Sequence, residues 1–441
     1  MAQVRRPDPI PNPEAKAWHG DGTAPERMWE SSTPPHSPSQ GPPVEHHAPG
    51  GSLLHPPPKN PPTHKTPVDP RGIPVSRAHT NPRRPTRPHN PESQSDTTTH
   101  QKTHSENNGQ DLNGGHIHQR RYDVRHRTHP TKGMDMQYST IGTTGVKASR
   151  VALGVMRLNG KSRQEASRIV GTVIDRGVNF FDTADVYGDG RSSLALNQAL
   201  DDLGVSRGTV YLQTKVGIIS GQRYDFSKRH ILDSVAQELT RLGTDYVDLL
   251  LLHRPDTLVE LDELAEAFNL LQQQGKVRYF GVSNVYPMQI ELLQSAISQK
   301  LHVNQLQFGL GHADMIRQEF HVNMNDAASI DHDGGTLAYT RLKHMTIQAW
   351  SPFQYGFFEG TFIDNPKFPE LNDHLQRIAE KYGVTKNAIA TAWILRHPAK
   401  MQVLLGSMNP ERLTQMIQGV DITLDRQEWY DLYLAAGNDL P

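Results

Sequence analysis

Asn179-Phe180-Phe181-Asp182-Thr183-Ala184-Asp185-Val186-Tyr187-Gly188 starts apolar and β-prone and then turns abruptly polar. A buried parallel strand has this form where it leaves its sheet and puts its last side chains into a cleft. Asp182 and Tyr187 stand at that exit. A phenol there can donate a proton, but with an ordinary pKa of ~10 it is a poor acid near neutral pH unless a cation sits beside it. The next strand candidate, Val210-Tyr211-Leu212-Gln213-Thr214-Lys215, ends in a cation, and the one after it, Tyr246 to His253, ends in a histidine. Three successive strand exits thus carry Asp with Tyr, then Lys, then His.

Outward from that stretch the chain alternates. Upstream, residues 137–149 form two short β-like runs around a glycine turn, a hairpin pattern, followed by a strand from Val151 to Met156. Ser162, with Glu165 three residues on, caps a helix whose Ala166, Ile169, Val170, Val173 and Ile174 share one face until Gly177. Downstream come helices at Ser192 to Leu203, Lys228 to Leu242 and Leu261 to Gln274. Further strands read at Lys276 to Asn284, Val303 to Phe308, Thr346 to Trp350 and Gln402 to Leu405. Helices follow near 287–297, 335–344, 371–382, 386–397, 409–418 and 425–436. Eight strands alternating with helices predict an α/β fold, a (β/α)8 TIM barrel. An open doubly wound sheet would show a Gly-x-Gly-x-x-Gly turn after the first strand, and none follows Met156.

In a barrel all strand C-termini open on one face, so Asp182, Tyr187, Lys215 and His253 would meet in one pocket. Lys215 would lower the pKa of Tyr187, Asp182 would hold Lys215, and His253 would orient a carbonyl oxygen or help move the proton. A phenol that protonates a developing alkoxide needs a hydride arriving on the adjacent carbon, which points to a nicotinamide.

Composition divides the chain. Of 32 prolines, 24 precede Met134, with 14 of the 23 histidines and few apolar residues, so residues 1–133 read as a disordered segment and 134–441 as the barrel domain. The histidines at His46-His47, His116-Ile117-His118 and His126 lack a defined metal-ligand spacing, and no metal is expected. The leader carries 17 Lys+Arg against 12 Asp+Glu and the remainder 29 against 35, so neither has the field of a nucleic-acid binder. No cysteine occurs, which excludes disulfides and a thiolate nucleophile. No run of 18 apolar residues and no signal-peptide core are seen, so a cytoplasmic protein with no membrane partner is expected, and a monomer is expected as well.

Several motifs occur together in order: Phe181-Asp182-Thr183-Ala184 with Tyr187-Gly188, Thr214-Lys215, Leu251-Leu252-His253, Gly275-Lys276-Val277-Arg278 leading to Gly281-Val282-Ser283-Asn284, Asn304-Gln305, and Ala349-Trp350-Ser351-Pro352. On these, residues 136 to about 432 resemble the aldo-keto reductase superfamily, particularly its bacterial branch. The resemblance implies a catalytic tetrad of Asp182, Tyr187, Lys215 and His253 and NADPH-dependent reduction of an aldehyde or ketone. It implies that Ser283, Asn284 and Gln305 bond the cofactor carboxamide, that Trp350 stacks on the nicotinamide, and that Ser351 and Phe353 lie along the pyrophosphate. Ser407 and Arg412, in Gly406-Ser407-Met408-Asn409-Pro410-Glu411-Arg412, would hold the adenosine 2′-phosphate, which a helix N-terminus with a hydroxyl and a guanidinium also suits physically.

The chain departs from the family pattern in places. Gly406 stands where many members have lysine, removing one charge from the phosphate site, and Ser193 and Gln198 replace glutamates, altering helix packing. Insertions at 309–334 and 353–370 flank the pocket, and Phe353, Tyr355, Phe357, Phe358 and Phe362 either line it or pack the loop down. A second reading of the same motifs is a non-catalytic NADPH-binding subunit that senses redox state.

Overall fold

A computed structural model describes residues 136–441; the leader, its histidine clusters and the boundary at Met134 lie outside the described residues. The chain alternation closes into a barrel. Its strands are β1 (Val151–Gly154), β2 (Phe180–Asp182), β3 (Tyr211–Val216), β4 (Val247–Leu252), β5 (Val277–Ser283), β6 (Leu301–Gln307), β7 (Thr346–Trp350) and β8 (Gln402–Leu405). Each pairs in parallel with the next, and β8 pairs with β1 to leave no edge.

Around the barrel run α1 (Arg163–Ile174), α2 (Arg191–Asp202), α3 (Lys228–Leu242), α4 (Leu261–Gln273), α5 (Pro287–Ala296), α6 (Thr336–Leu342), α7 (Lys386–Leu395) and α8 (Pro410–Ile417). Local chemistry sets their ends. Ser162 and Glu165 form the reciprocal capping box at α1, Pro287 occupies the first turn of α5, and Gly243 stops α3 in the left-handed region. Pro369–Tyr382 precedes α7 and Arg426–Ala435 follows α8. None of the described helices is long and apolar enough to cross a membrane.

Side chains two apart along a strand share a face, and this sorts the core into two bodies. Outward-facing residues such as Phe181, Leu212 and Leu250 pack under the helices, in one cluster with Ile169, Val235 and Phe268. Inward-facing Ala152, Phe180, Leu249, Leu251, Val303 and Leu404 meet Ile141, Val146 and Ala148 from the hairpin Tyr138–Thr140/Lys147–Ser149. The hairpin therefore plugs the lower end of the barrel. Above this apolar layer the interior is polar, and that is where the strand exits converge.

Two features were not legible as elements. The insertion at 309–334 contains a helix, Asp314–Phe320, whose Phe320 packs on Tyr430 and Tyr433. Two-residue strand pairs, Ile218–Ile219 with Arg223–Tyr224 and Gln354–Tyr355 with Gly360–Thr361, rim the upper face.

Candidate active site

Period-two geometry carries Phe180 and Asp182 inward on β2, and Gln213 and Lys215 inward on β3. The side chain of Lys215 is fully buried, and its Nζ donates to Asp182 Oδ2 at 2.7 Å, to the Thr183 carbonyl at 2.8 Å and to the Tyr187 hydroxyl at 3.1 Å. One ammonium thus uses all three protons and ties the two ends of the opening stretch together. Tyr187 reaches it through a turn that needs Gly188, at φ +57° with a would-be Cβ 2.6 Å from Asn159 Nδ2. His253, just past β4, meets the Tyr187 ring edge-on at 5.6 Å between centroids. The structure brings all four predicted residues together.

Electrostatics refines the expectation for the phenol. Burial pushes the Tyr187 pKa up; Lys215 pulls it down, but burial wins, so the net shift is upward, not the lowering that the sequence suggests. Burial opposes the charge on Lys215, yet Asp182 and Tyr187 hold the ammonium above the ordinary lysine value. Burial, then Lys215 and Arg254, keep His253 well below the usual imidazole range. The set at neutral pH is therefore a carboxylate-paired ammonium, a protonated phenol and a neutral imidazole.

Asp182 is held from behind by a carboxamide network that sequence reasoning missed. Its Oδ1 accepts from Gln213 Nε2 at 2.6 Å and from Gln305 Nε2 at 3.0 Å. Both amides also donate to Gln348 Oε1, and Gln348 Nε2 passes the chain to Gln402, which donates to the Ser149 carbonyl. Every side chain in it is buried. The available signal was a glutamine two residues before Lys215, on the same strand face. Gln305 consequently spends its amide protons inside the protein, leaving only its Oε1 for a ligand.

Outside the barrel wall, Ser193, which stands where the family pattern has glutamate, meets the buried carboxylate of Glu238 from α3. Glu238 Oε2 accepts from Ser193 at 2.8 Å and from Thr214 at 2.7 Å, while Arg241 pairs with its Oε1. Asp185 lies nearby, its pKa pushed up to about 7 by burial and by Glu238.

A cavity of about 1070 Å³ opens on this face. All the predicted site residues except Lys215 line it: Asp182, Tyr187, His253, Ser283, Asn284, Gln305, Trp350, Ser351, Phe353, Ser407 and Arg412. Lys215 sits behind them. Trp350 donates its indole N–H to Asn284 Oδ1 at 3.1 Å, and Asn284 donates to Ser283 Oγ at 2.7 Å. At the far end Ser407 Oγ accepts from Asn409 N, and Asn409 caps α8 through the Arg412 amide, so the Arg412 side chain is left exposed on the cavity wall. The loop phenylalanines divide: Phe353, Phe357 and Phe358 line the cavity, whereas Phe362 is fully buried beneath it and Tyr355 packs on Phe368. Arg157, from the β1–α1 loop, donates to the Gly406 carbonyl at 3.4 Å and so returns a cation beside the position that lacks lysine.

The family model described as aldo/keto reductase matches residues 150–433. The chain belongs to the aldo/keto reductase family. It is similar to the 6-dehydroglucose reductase of Agrobacterium fabrum, 33% identical over 309 residues that cover 67% of this chain and 97% of that protein. A putative voltage-gated potassium channel subunit beta of Schizosaccharomyces pombe is 26% identical over 65% of this chain and 89% of its own length. Among solved structures, the thermostable aldo-keto reductase Tm1743 in complex with epalrestat matches 68% of this chain and 100% of its own at 25% identity, with a TM-score of 0.55. The aldo/keto reductase barrel is thus the described part of an oxidoreductase family member, and Asp182, Tyr187, Lys215 and His253 meet at its open face.

Proposed function

We propose that the chain is a cytoplasmic, monomeric NADPH-dependent reductase that converts a small aldehyde or ketone to its alcohol, with Tyr187 as proton donor. The observation that carries this reading is the ammonium of Lys215 bridging Asp182 and the Tyr187 hydroxyl on the cavity floor. NADPH, when bound, supplies the hydride. The residues fit such a cofactor: Ser283, Asn284 and the free Oε1 of Gln305 offer polar groups to a carboxamide, and Trp350 offers an aromatic wall. Ser351 and Phe353 also line the cavity, and Ser407, Arg412 and Arg157 gather at the end suited to a phosphate.

The chemistry of the protein side follows. The substrate carbonyl oxygen faces Tyr187 and His253, and the neutral imidazole orients it. As negative charge develops on that oxygen the phenol gives up its proton, and the Lys215 ammonium stabilises the phenolate left behind. Asp182, fixed by Gln213 and Gln305, keeps the ammonium in place. In the relative from Agrobacterium the named substrate is an oxidised sugar, which supports a polar carbonyl compound here.

A second reading is a non-catalytic NADPH-binding regulatory subunit, supported by the similarity to a potassium channel subunit beta. Turnover separates the two. Steady-state NADPH oxidation with a panel of aldehydes and ketones should show saturable, substrate-dependent consumption; tight NADPH binding with no turnover across the panel would favour the regulatory subunit.

A further inference from the structure

Most charged side chains on the cavity wall are already matched. Asp182 is paired with Lys215, Arg223 with Asp225 and Asp364 with Lys386, while Arg157 donates to the Gly406 carbonyl. Arg254 and Arg412 also line the cavity, and neither guanidinium has an ion-pair or hydrogen-bond partner among the described residues. They stand at different ends. Arg412 adjoins Ser407 at the start of α8, the end suited to the cofactor phosphate. Arg254 directly follows His253, and its guanidinium lies 5.9 Å from the centre of the Trp350 ring. Tyr187 and Tyr224 both lie close enough to act on its charge.

The surroundings make this cation unusual. Arg254 is half-buried, and burial lowers its pKa from the ordinary arginine value, although a guanidinium stays charged at any physiological pH. The same cavity wall carries Ile218, Ile219 and Tyr224 from the hairpin after β3, and the Trp350 ring beneath this guanidinium stacks on Phe358, which packs on Phe357. Apolar walls weaken solvent screening and strengthen any anion contact made there. A partly desolvated charge without a partner is unfavourable unless a ligand completes it.

We infer that Arg254 is the substrate anchor, and that the reductase takes short carbonyl compounds carrying a carboxylate, gripped by this guanidinium while the carbonyl oxygen faces Tyr187 and His253. The guanidinium fork matches a carboxylate with two parallel N–H donors, which fixes the direction of the carbonyl as well as the affinity. The inference rests on the reductase reading and adds the substrate class to it.

The test compares succinic semialdehyde with butanal, four-carbon aldehydes with and without a carboxylate. The wild-type protein should favour the acid in kcat/KM by about tenfold to a hundredfold, the worth of one charge-assisted contact. Arg254→Met should abolish that ratio mainly through KM, and Arg254→Lys should keep part of it. No preference in the wild type, or a preference that survives in Arg254→Met, overturns the inference. A calorimetric titration of succinate into the NADP+ complex adds an arm free of turnover. Succinate should bind the wild type and bind Arg254→Met at least tenfold more weakly; equal binding overturns the anion site. If neither aldehyde is reduced while succinate still binds through Arg254, the reductase reading falls and the anion site stands.

Discussion

At the scale of single residues the site is a set of buried charges that stabilise one another. Lys215 and Asp182 are each nearly inaccessible, and removing one partner leaves the other in a low-dielectric interior. Lys215→Met should therefore destabilise the fold by about 3–5 kcal/mol, and the double change Lys215→Met with Asp182→Asn by less than the sum of the two singles. Chemical denaturation of the four proteins checks this, and strict additivity would show that the pair is not coupled. Asp185 gives a pH signature of opposite origin. Its folded pKa, raised to about 7 by burial and by Glu238, means that folding takes up a proton between the ordinary carboxylate range and pH 7. The contribution is full at acid pH and is lost as pH rises through about 7, so Asp185→Asn should gain roughly 1–3 kcal/mol on the wild type near pH 8 and lose that advantage near pH 5. A stability difference that does not vary with pH would place the titration elsewhere. His253, held neutral, should add no acid limb near its ordinary pKa to the pH profile of NADPH binding.

At the scale of elements, the hairpin plug is the piece whose role is most separable from the chemistry. Ile141 is fully buried between hairpin and barrel, so Ile141→Ala should cost about 2–5 kcal/mol of stability while leaving NADPH affinity within about twofold. A large loss of cofactor binding would mean that the plug shapes the open end. Legibility also differed by element. Lys228–Leu242, Thr346–Trp350 and Gln402–Leu405 coincide with their sequence readings, because a long amphipathic run ending in glycine and compact strands with clear flanks leave little freedom. Asp314–Phe320 and the two-residue strand pairs did not, since such short runs give too little periodicity to read. The meeting of Asp182, Tyr187, Lys215 and His253 was readable because barrel topology brings strand exits together whatever their separation. Gln348 was not, since it meets Gln213 across 135 residues and nothing local marks the pairing. Arg157 and Arg254 were also invisible as site residues, because side-chain direction on a loop has no period to read.

At the scale of the molecule, the proposed function divides one cavity between two ends, with cofactor choice assigned to the end near α8. Arg412→Ala should weaken NADPH more than NADH by about 1.5–3 kcal/mol, with Arg157→Ala giving a smaller effect of the same sign. Fluorescence titration with both cofactors checks it; equal weakening of the two would move the 2′-phosphate away from Arg412. The other end holds Tyr187, the proposed proton donor. Tyr187→Phe removes one oxygen and keeps the ring that packs against His253, so NADPH affinity should stay within about threefold while carbonyl reduction falls ~10²–10⁴-fold, the usual loss for a general acid. The decisive measurement is single-turnover NADPH oxidation by Tyr187→Phe with saturating cofactor and aldehyde. With Tyr187 as the general acid, the chemical step is expected to slow by at least ~10²-fold with cofactor still bound. A near wild-type rate under those conditions would mean that the proton comes from another group or from water, and would contradict the role given to the Asp182–Tyr187 stretch.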